Sequence, residues 1–255
     1  MFRITLTKIV TLKLIALELW LVDGASLPWI VLLFFIGDPW ILWNLFVPGT
    51  SSIVPVATCF ATDRPEVWLT IDDGPDAHDT PRLLDALDRH GARATFFLVG
   101  ERAALHPELV AEIARRGHEV GHHTHTHPER TFWCAAPGRI RRELDEALAV
   151  FARSGVRPRR FRAPVGIKNM FLARPLAARG LACVAWTVRS YDSFARDSRQ
   201  VVDYVVPRIH AGSILLMHEG PRLHPDVRVA AVERMLAALS ERGLRCVIPP
   251  DAQLR

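Results

Sequence analysis

From residue 66 onward the chain alternates between short apolar runs and amphipathic stretches. The runs are Val67–Ile71, Thr95–Val99, Glu119–His123, Arg160–Ala163, Cys183–Val188, Ser213–His218 and Arg245–Ile248. Their length and their β-branched and aromatic content are those of strands, Arg160–Ala163 being the weakest of the seven. Between them Pro81–His90, Pro107–Arg116, Arg139–Arg153 and Val227–Arg242 carry apolar residues at helical spacing. Gly91, Gly117, Gly155, Gly180, Gly212 and Gly243 stand where helices should end, with Arg or His in the preceding turn. That is the chemistry of a helix C-terminus, an unencumbered glycine after cations that offset the helix dipole. Pro81 and Pro107 suit first helical turns. Strands alternating with helices imply a parallel sheet, either doubly wound or a barrel one strand short of eight. Both architectures bind ligands at the C-terminal strand ends.

The first 60 residues follow another pattern. Ile9–Val22 is apolar but holds Lys13 and Glu18, whereas Leu27–Val47 runs for 21 residues with Pro28, Asp38, Pro39 and Asn44 as its interruptions. About 20 apolar residues cross a bilayer, so the second stretch is the better spanning candidate. Trp29, Trp40 and Trp43 are potential interfacial anchors. A cleaved signal peptide fits less well, because charges break the first run and a second apolar run follows. A buried helical hairpin is the alternative. Residues 1–50 are therefore expected to form a membrane segment of one span or a hairpin. Residues 51–65, with Ser51, Ser52 and Pro55, are expected to be a linker, and residues 66–250 one α/β domain. Arg3, Lys8 and Lys13 favour a cytoplasmic N-terminus. A single span then puts the domain outside, and a hairpin returns it to the cytoplasm.

Composition sharpens this division. Apolar residues make up 49% of the 255, but 38 of the first 60, and four of the seven Trp lie there. In that segment Arg3, Lys8 and Lys13 offset Glu18, Asp23 and Asp38, so the net +5 belongs to the remainder. The excess is scattered Arg rather than a dense basic run, which argues against a nucleic-acid partner. Cys59, Cys134, Cys183 and Cys246 form no C-x-x-C pair, and Cys183 and Cys246, inside apolar runs, read as buried thiols.

Candidate chemistry gathers where the runs stop. The first leads into Asp72-Asp73-Gly74-Pro75, two carboxylates that can divide metal binding and proton transfer. The third ends in Gly121-His122-His123-Thr124-His125-Thr126-His127-Pro128, and five of the eleven His fall within residues 118–127. His with Asp is a common zinc ligand set. Arg162 follows the fourth run, Asp192 lies just past the fifth, and His218 ends the sixth.

Over about residues 65–250 the chain resembles the polysaccharide deacetylase family, also called the NodB-homology family or carbohydrate esterase family 4. The family's motifs appear in order as Thr70-Ile-Asp-Asp-Gly-Pro75, His123-Thr-His-Thr-His127, Phe161-Arg-Ala-Pro164, Trp186-Thr-Val-Arg-Ser-Tyr-Asp192 and Leu216-Met-His218. The resemblance implies a distorted (β/α)7 barrel. It also implies a divalent cation, Zn²⁺ in the first instance, held by Asp73, His123 and His127. Asp72 would be the general base, Arg162 its orienting partner, His218 the general acid and Asp192 its support. His122 and His125 fall between the motif positions. The implied reaction is hydrolytic removal of an N-acetyl or related N-acyl group from an amino sugar in a glycan or glycolipid, at the bacterial cytoplasmic membrane, with residues 1–50 contacting lipid. A deformylase or deacetylase of a polyprenyl-linked sugar is a variant of that reading, and a non-catalytic carbohydrate-binding protein on the same fold is the competitor. Four positions depart from the family pattern: Ile71, Val165, Arg189 and Ser193. They are expected to alter the pocket wall.

Overall fold

The structure, a computed structural model, describes residues 2–22 and 26–255. Asp23 and the side chain of Arg3, counted above in the charge balance, lie outside the described residues. Nine strands form one sheet: β1 (Val56–Ala57), β2 (Glu66–Gly74), β3 (Ala94–Leu98), β4 (Glu119–His122), β5 (Arg160–Phe161), β6 (Ala182–Val184), β7 (Val188–Arg189), β8 (Ile214–His218) and β9 (Arg245–Cys246). The helices are α1 (Phe2–Leu21), α2 (Leu27–Phe35), α3 (Asp38–Phe46), α4 (Asp79–Arg89), α5 (Gly100–Leu105), α6 (Pro107–Arg115), α7 (Pro137–Arg153), α8 (Ala173–Ala177), α9 (Ser198–Val205) and α10 (Arg228–Glu241).

The strand order is β1-β6-β5-β4-β3-β2-β8-β7, with β9 beside the start of β2, and every pairing is parallel. The architecture is an α/β half-barrel. It differs from seven successive strands at one informative place. The run Cys183–Val188 is not one strand but two, β6 near one end of the order and β7 at the other. Residues 185–187 cross between the two ends. Ala185 N donates to Ala57 O at 2.8 Å, and Thr187 N donates to Ile214 O at 2.9 Å. Backbone donors satisfied on such distant strands cannot share one ladder register, so the run breaks there.

The expected linker is also part of the domain. Val54, Val56 and Phe60 are buried, β1 pairs with β6, and isolated bridges join Cys59 to Ser213 and Phe60 to Leu254. Helices α5, α8 and α9 went unpredicted, being five to eight residues long and too short for a clear apolar stripe. The glycine stops hold: Gly117 and Gly243, for example, take φ of +79° and +71° after α6 and α10.

Period-two alternation along β2 positions the site. Val67, Leu69 and Ile71 join the core shared with α4, α6, α9 and α10, whereas Trp68 joins Phe60, Phe97, Val184 and Ile214 in the barrel interior. Thr70 and Asp72, in phase with Trp68, therefore face inward. Ile71, expected at the pocket wall, instead packs into the helix-side core.

Among the described residues, Leu27–Phe46 is the one helical stretch long and apolar enough to cross a membrane, judged by length and composition. It bends at Gly37, where an added Cβ would meet the Ile9 side chain of α1. Lys13 of α1 pairs with Asp38 at 2.7 Å.

Candidate active site and metal centre

At the end of β2 the register with β3 slips. Asp72 stands opposite Phe97 and Gly74 opposite Leu98, leaving Asp73 as an extra residue with φ of +73°. Such a bulge re-aims the inserted side chain. Strict alternation would send the two carboxylates to opposite faces; the bulge lets both reach one cavity. Gly74 is required next, since a Cβ there would collide with the buried Glu219 carboxyl.

Four histidines at the end of β4 have different fates. His122 points into the core, its Nε2 3.0 Å from Leu144 O and its Nδ1 accepting from Thr124 N at 3.0 Å; burial pulls its pKa down to about 4. His123 turns into the cavity, with Nδ1 2.8 Å from Arg162 O. An Nδ1–H donated to that carbonyl leaves the Nε2 lone pair free for a metal, the usual way such a ligand is oriented. His125 faces Glu146, and His127 returns to the cavity. His122 and His125 are thus turned away from the cavity that His123 and His127 enter.

The ligand atoms of Asp73, His123 and His127 converge. His123 Nε2 lies 3.1 Å from His127 Nε2 and 3.5 Å from Asp73 Oδ1, and His127 Nε2 lies 3.2 Å from the same oxygen. Ligands at about 2.0–2.1 Å from a tetrahedral ion stand roughly 3.3–3.4 Å apart. The donor set and its spacing therefore fit a zinc-like cation with one side open. Burial works to raise the Asp73 carboxyl, but the His123 hydrogen bond and the histidine charges outweigh it and hold it well below the usual carboxylate range. Burial pulls His127 down to about 3, which keeps its nitrogen available as a neutral ligand.

Arg162 leaves β5 and crosses the interior. Nη1 donates to Asp72 Oδ1 at 2.6 Å and to Thr70 Oγ1 at 2.8 Å, and Nη2 donates to Ala185 O at 2.8 Å. The guanidinium lies 4.2 Å from the Phe97 ring centroid. His218, at the end of β8, has Nδ1 2.7 Å from Asp192 Oδ1, while its backbone N donates to Asp192 Oδ2 at 2.7 Å. Burial pulls the imidazole down, yet the Asp192 charge and hydrogen bond outweigh it and raise His218 to about 9.

All seven predicted residues thus meet at one rim. Asp72, Asp73, His123, His127 and His218 line a cavity of about 270 Å³, with Arg162 and Asp192 behind them. Sequence reasoning missed Glu143 of α7. Its carboxylate accepts from His125 N and Thr126 N, both at 2.9 Å, and from Thr126 Oγ1 at 2.6 Å, fixing the loop between His123 and His127. The signal was present: Glu143 falls on the buried stripe of Ile140, Leu144 and Ala147, where an acid needs partners. Glu129 and Arg222, paired with each other on the cavity wall, carried no comparable signal.

The sequence profile described as "Polysaccharide deacetylase" matches residues 61–184. A chitooligosaccharide deacetylase of Sinorhizobium fredii is 36% identical over 192 residues, covering 71% of this chain and 89% of that protein. The chain belongs to the polysaccharide deacetylase family. A second member, a peptidoglycan-N-acetylglucosamine deacetylase of Bacillus cereus, is 31% identical over 192 residues, or 74% of this chain and 68% of that one. Among solved structures, a peptidoglycan N-acetylglucosamine deacetylase superposes with a TM-score of 0.70 at 30% identity, covering 75% of this chain and 89% of that chain. As a polysaccharide deacetylase this protein is a hydrolase of carbon–nitrogen amide bonds. Of its departures from the family pattern, Val165, Arg189 and Ser193 line the cavity.

Proposed function

We propose that this polysaccharide deacetylase is a membrane-attached, divalent-cation-dependent enzyme that removes an N-acetyl or related N-acyl group from an amino sugar in a glycan or glycolipid. The observation that carries the reading is the convergence of Asp73, His123 and His127 beside both Asp72 and His218 in one cavity. A divalent cation held by that triad supplies Lewis-acid charge, acidifying water and stabilising negative charge on the amide carbonyl oxygen.

The chain's own residues supply the proton transfers. Asp72, paired with Arg162, takes the proton of the attacking water. Arg162 points Asp72 at one position, because Thr70 and the Val184 and Ala185 carbonyls fix its other donors. His218, held protonated at neutral pH by Asp192, delivers a proton to the leaving amine. A carbohydrate-binding module on this fold would have no use for a base and an acid on either side of a ligand triad.

The helical stretch Leu27–Phe46 supports attachment to the bacterial cytoplasmic membrane through lipid contact. One contact also favours a polyprenyl-linked sugar, deacylated where the lipid holds it. Lys168 Nζ donates to Val47 O at 2.6 Å and to Pro48 O at 2.9 Å, and its backbone N donates to Leu45 O at 2.9 Å. The end of α3 is thereby tied to the segment that carries Val165 and Gly166 into the cavity wall.

The test uses the full-length chain in detergent. Metal content is measured together with acetate release from N-acetylglucosamine oligomers and formate release from N-formylated amino sugars. Bound cation and release that stops on chelation and returns on adding Zn²⁺ are expected. Release that survives exhaustive chelation, or none from any N-acylated sugar with cation bound, overturns the reading.

A further inference from the structure

The charged groups around the cavity pair off, with one exception. Asp72 has Arg162, Asp73 has His123 and His127, His218 has Asp192, and Glu129 has Arg222. Arg189 has no ion pair or side-chain hydrogen bond among the described residues, although it lines the same cavity. Its Nε is shut off from solvent without a partner. An unsatisfied buried donor of that kind carries a desolvation cost, so the protein holds this guanidinium in place without compensating it. The guanidinium is flanked by Tyr191 and Phe194, with ring centroids 5.2 and 5.7 Å away, and both rings are exposed. The side chain is placed by β7, whose Arg189 is in register with Leu216 two residues before His218. This cation is therefore presented by the framework and close in sequence register to the proton-donating end of the site.

We infer that Arg189 forms a subsite for an oxyanion carried by the amino-sugar substrate, a phosphate or a carboxylate on the same or the adjoining sugar. A guanidinium offers parallel N–H donors matched to both groups. Phe194, which lines the same cavity, supplies a flat apolar face beside it for the sugar ring. The inference rests on the deacylase reading of the cavity and names the class of substrate: an anionic amino sugar rather than a neutral oligomer.

Calorimetric titration of the full-length, Zn²⁺-loaded chain compares N-acetylglucosamine 1-phosphate, N-acetylmuramic acid and neutral N-acetylglucosamine. The kcat/KM for amide hydrolysis is measured in parallel. At least one oxyanion-bearing sugar is expected to bind about 10–100-fold tighter than the neutral one, the size of charge-assisted hydrogen bonding. The phosphate and muramate arms identify which oxyanion is read. Arg189→Gln should collapse that ratio, and Arg189→Lys should retain part of it. Melting curves confirm that each variant folds, and should Arg189→Gln not fold, the Lys variant decides. Equal binding of neutral and anionic sugars by the wild type overturns the inference. So does an anion preference that persists in Arg189→Gln, which assigns the anion to another positive charge of the cavity, Arg222 or the bound Zn²⁺. Intact, Arg189-dependent preference with no hydrolysis of any sugar supports the subsite and overturns the deacylase reading.

Discussion

Arg162 Nη1 and Asp72 Oδ1 are 2.6 Å apart, and the two side chains are only 1% and 4% exposed. They come from positions 90 residues apart, on β2 and just past β5. The pair fixes where the carboxylate points, and losing either member has a different consequence.

Removing the cation should hurt the fold as well as the chemistry. Arg162→Leu leaves Asp72 buried and unpaired, and breaking such a pair from one side costs about 3–5 kcal/mol. A clear drop in melting temperature is expected with turnover lost. Asp72→Asn keeps the shape and should lower kcat by about 10²–10⁴ with cation still bound, the range for a general base. Near-wild-type turnover in Asp72→Asn refutes its role as base.

The His218–Asp192 pair should set the alkaline limit. A proton donor must be charged, so activity should fall as pH rises through the folded value of about 9. The same raised pKa stabilises the fold below the ordinary histidine range near 6.5, and that stabilisation is lost as pH climbs toward 9. In Asp192→Asn the largest raising charge is gone and only Asp72 and Asp73 still oppose burial, so the alkaline limb of the kcat/KM profile should move to lower pH. An unmoved limb means that another group donates the proton.

Glu143 holds the loop that sets the spacing of His123 and His127. Glu143→Ala should weaken divalent-cation binding about 10–100-fold, as loss of a ligand-positioning partner does. Competition with a chromophoric chelator measures it. Glu143→Gln keeps one acceptor oxygen and should lose less. Unchanged affinity in the Ala variant would show that the loop holds its shape without α7.

Lys168 ties α3 to the cavity wall through backbone carbonyls rather than a carboxylate. Lys168→Met should leave the α/β half-barrel folded and expose residues 47–55 to proteolysis about tenfold faster, since hydrogen bonds from a charged donor are worth about 1.5–3 kcal/mol. Cleavage kinetics in detergent check this.

The apolar alternation of the chain was sufficient to find β2, β3, β4, β5, β8 and β9, the four longer helices of the domain and the strand ends where the chemistry gathers. Burial is recorded locally, in the period of side chains, and motif residues stay close to the strands that present them. The roles of Asp72, Asp73, His123, His127, Arg162, Asp192 and His218 could be stated as expectations because the motifs of the family that the chain resembles appear in order at or near the ends of the runs. Tertiary structure decided the rest, because pairing is a relation between distant segments. It split residues 183–188 between the two ends of the sheet, since their donors found acceptors at Ala57 and Ile214. It pushed Asp73 out of alternation so that neighbouring carboxylates converge. It set Glu143 under the histidine loop and left Arg189 without an opposite charge among the described residues, two facts of long-range electrostatics that no local period encodes.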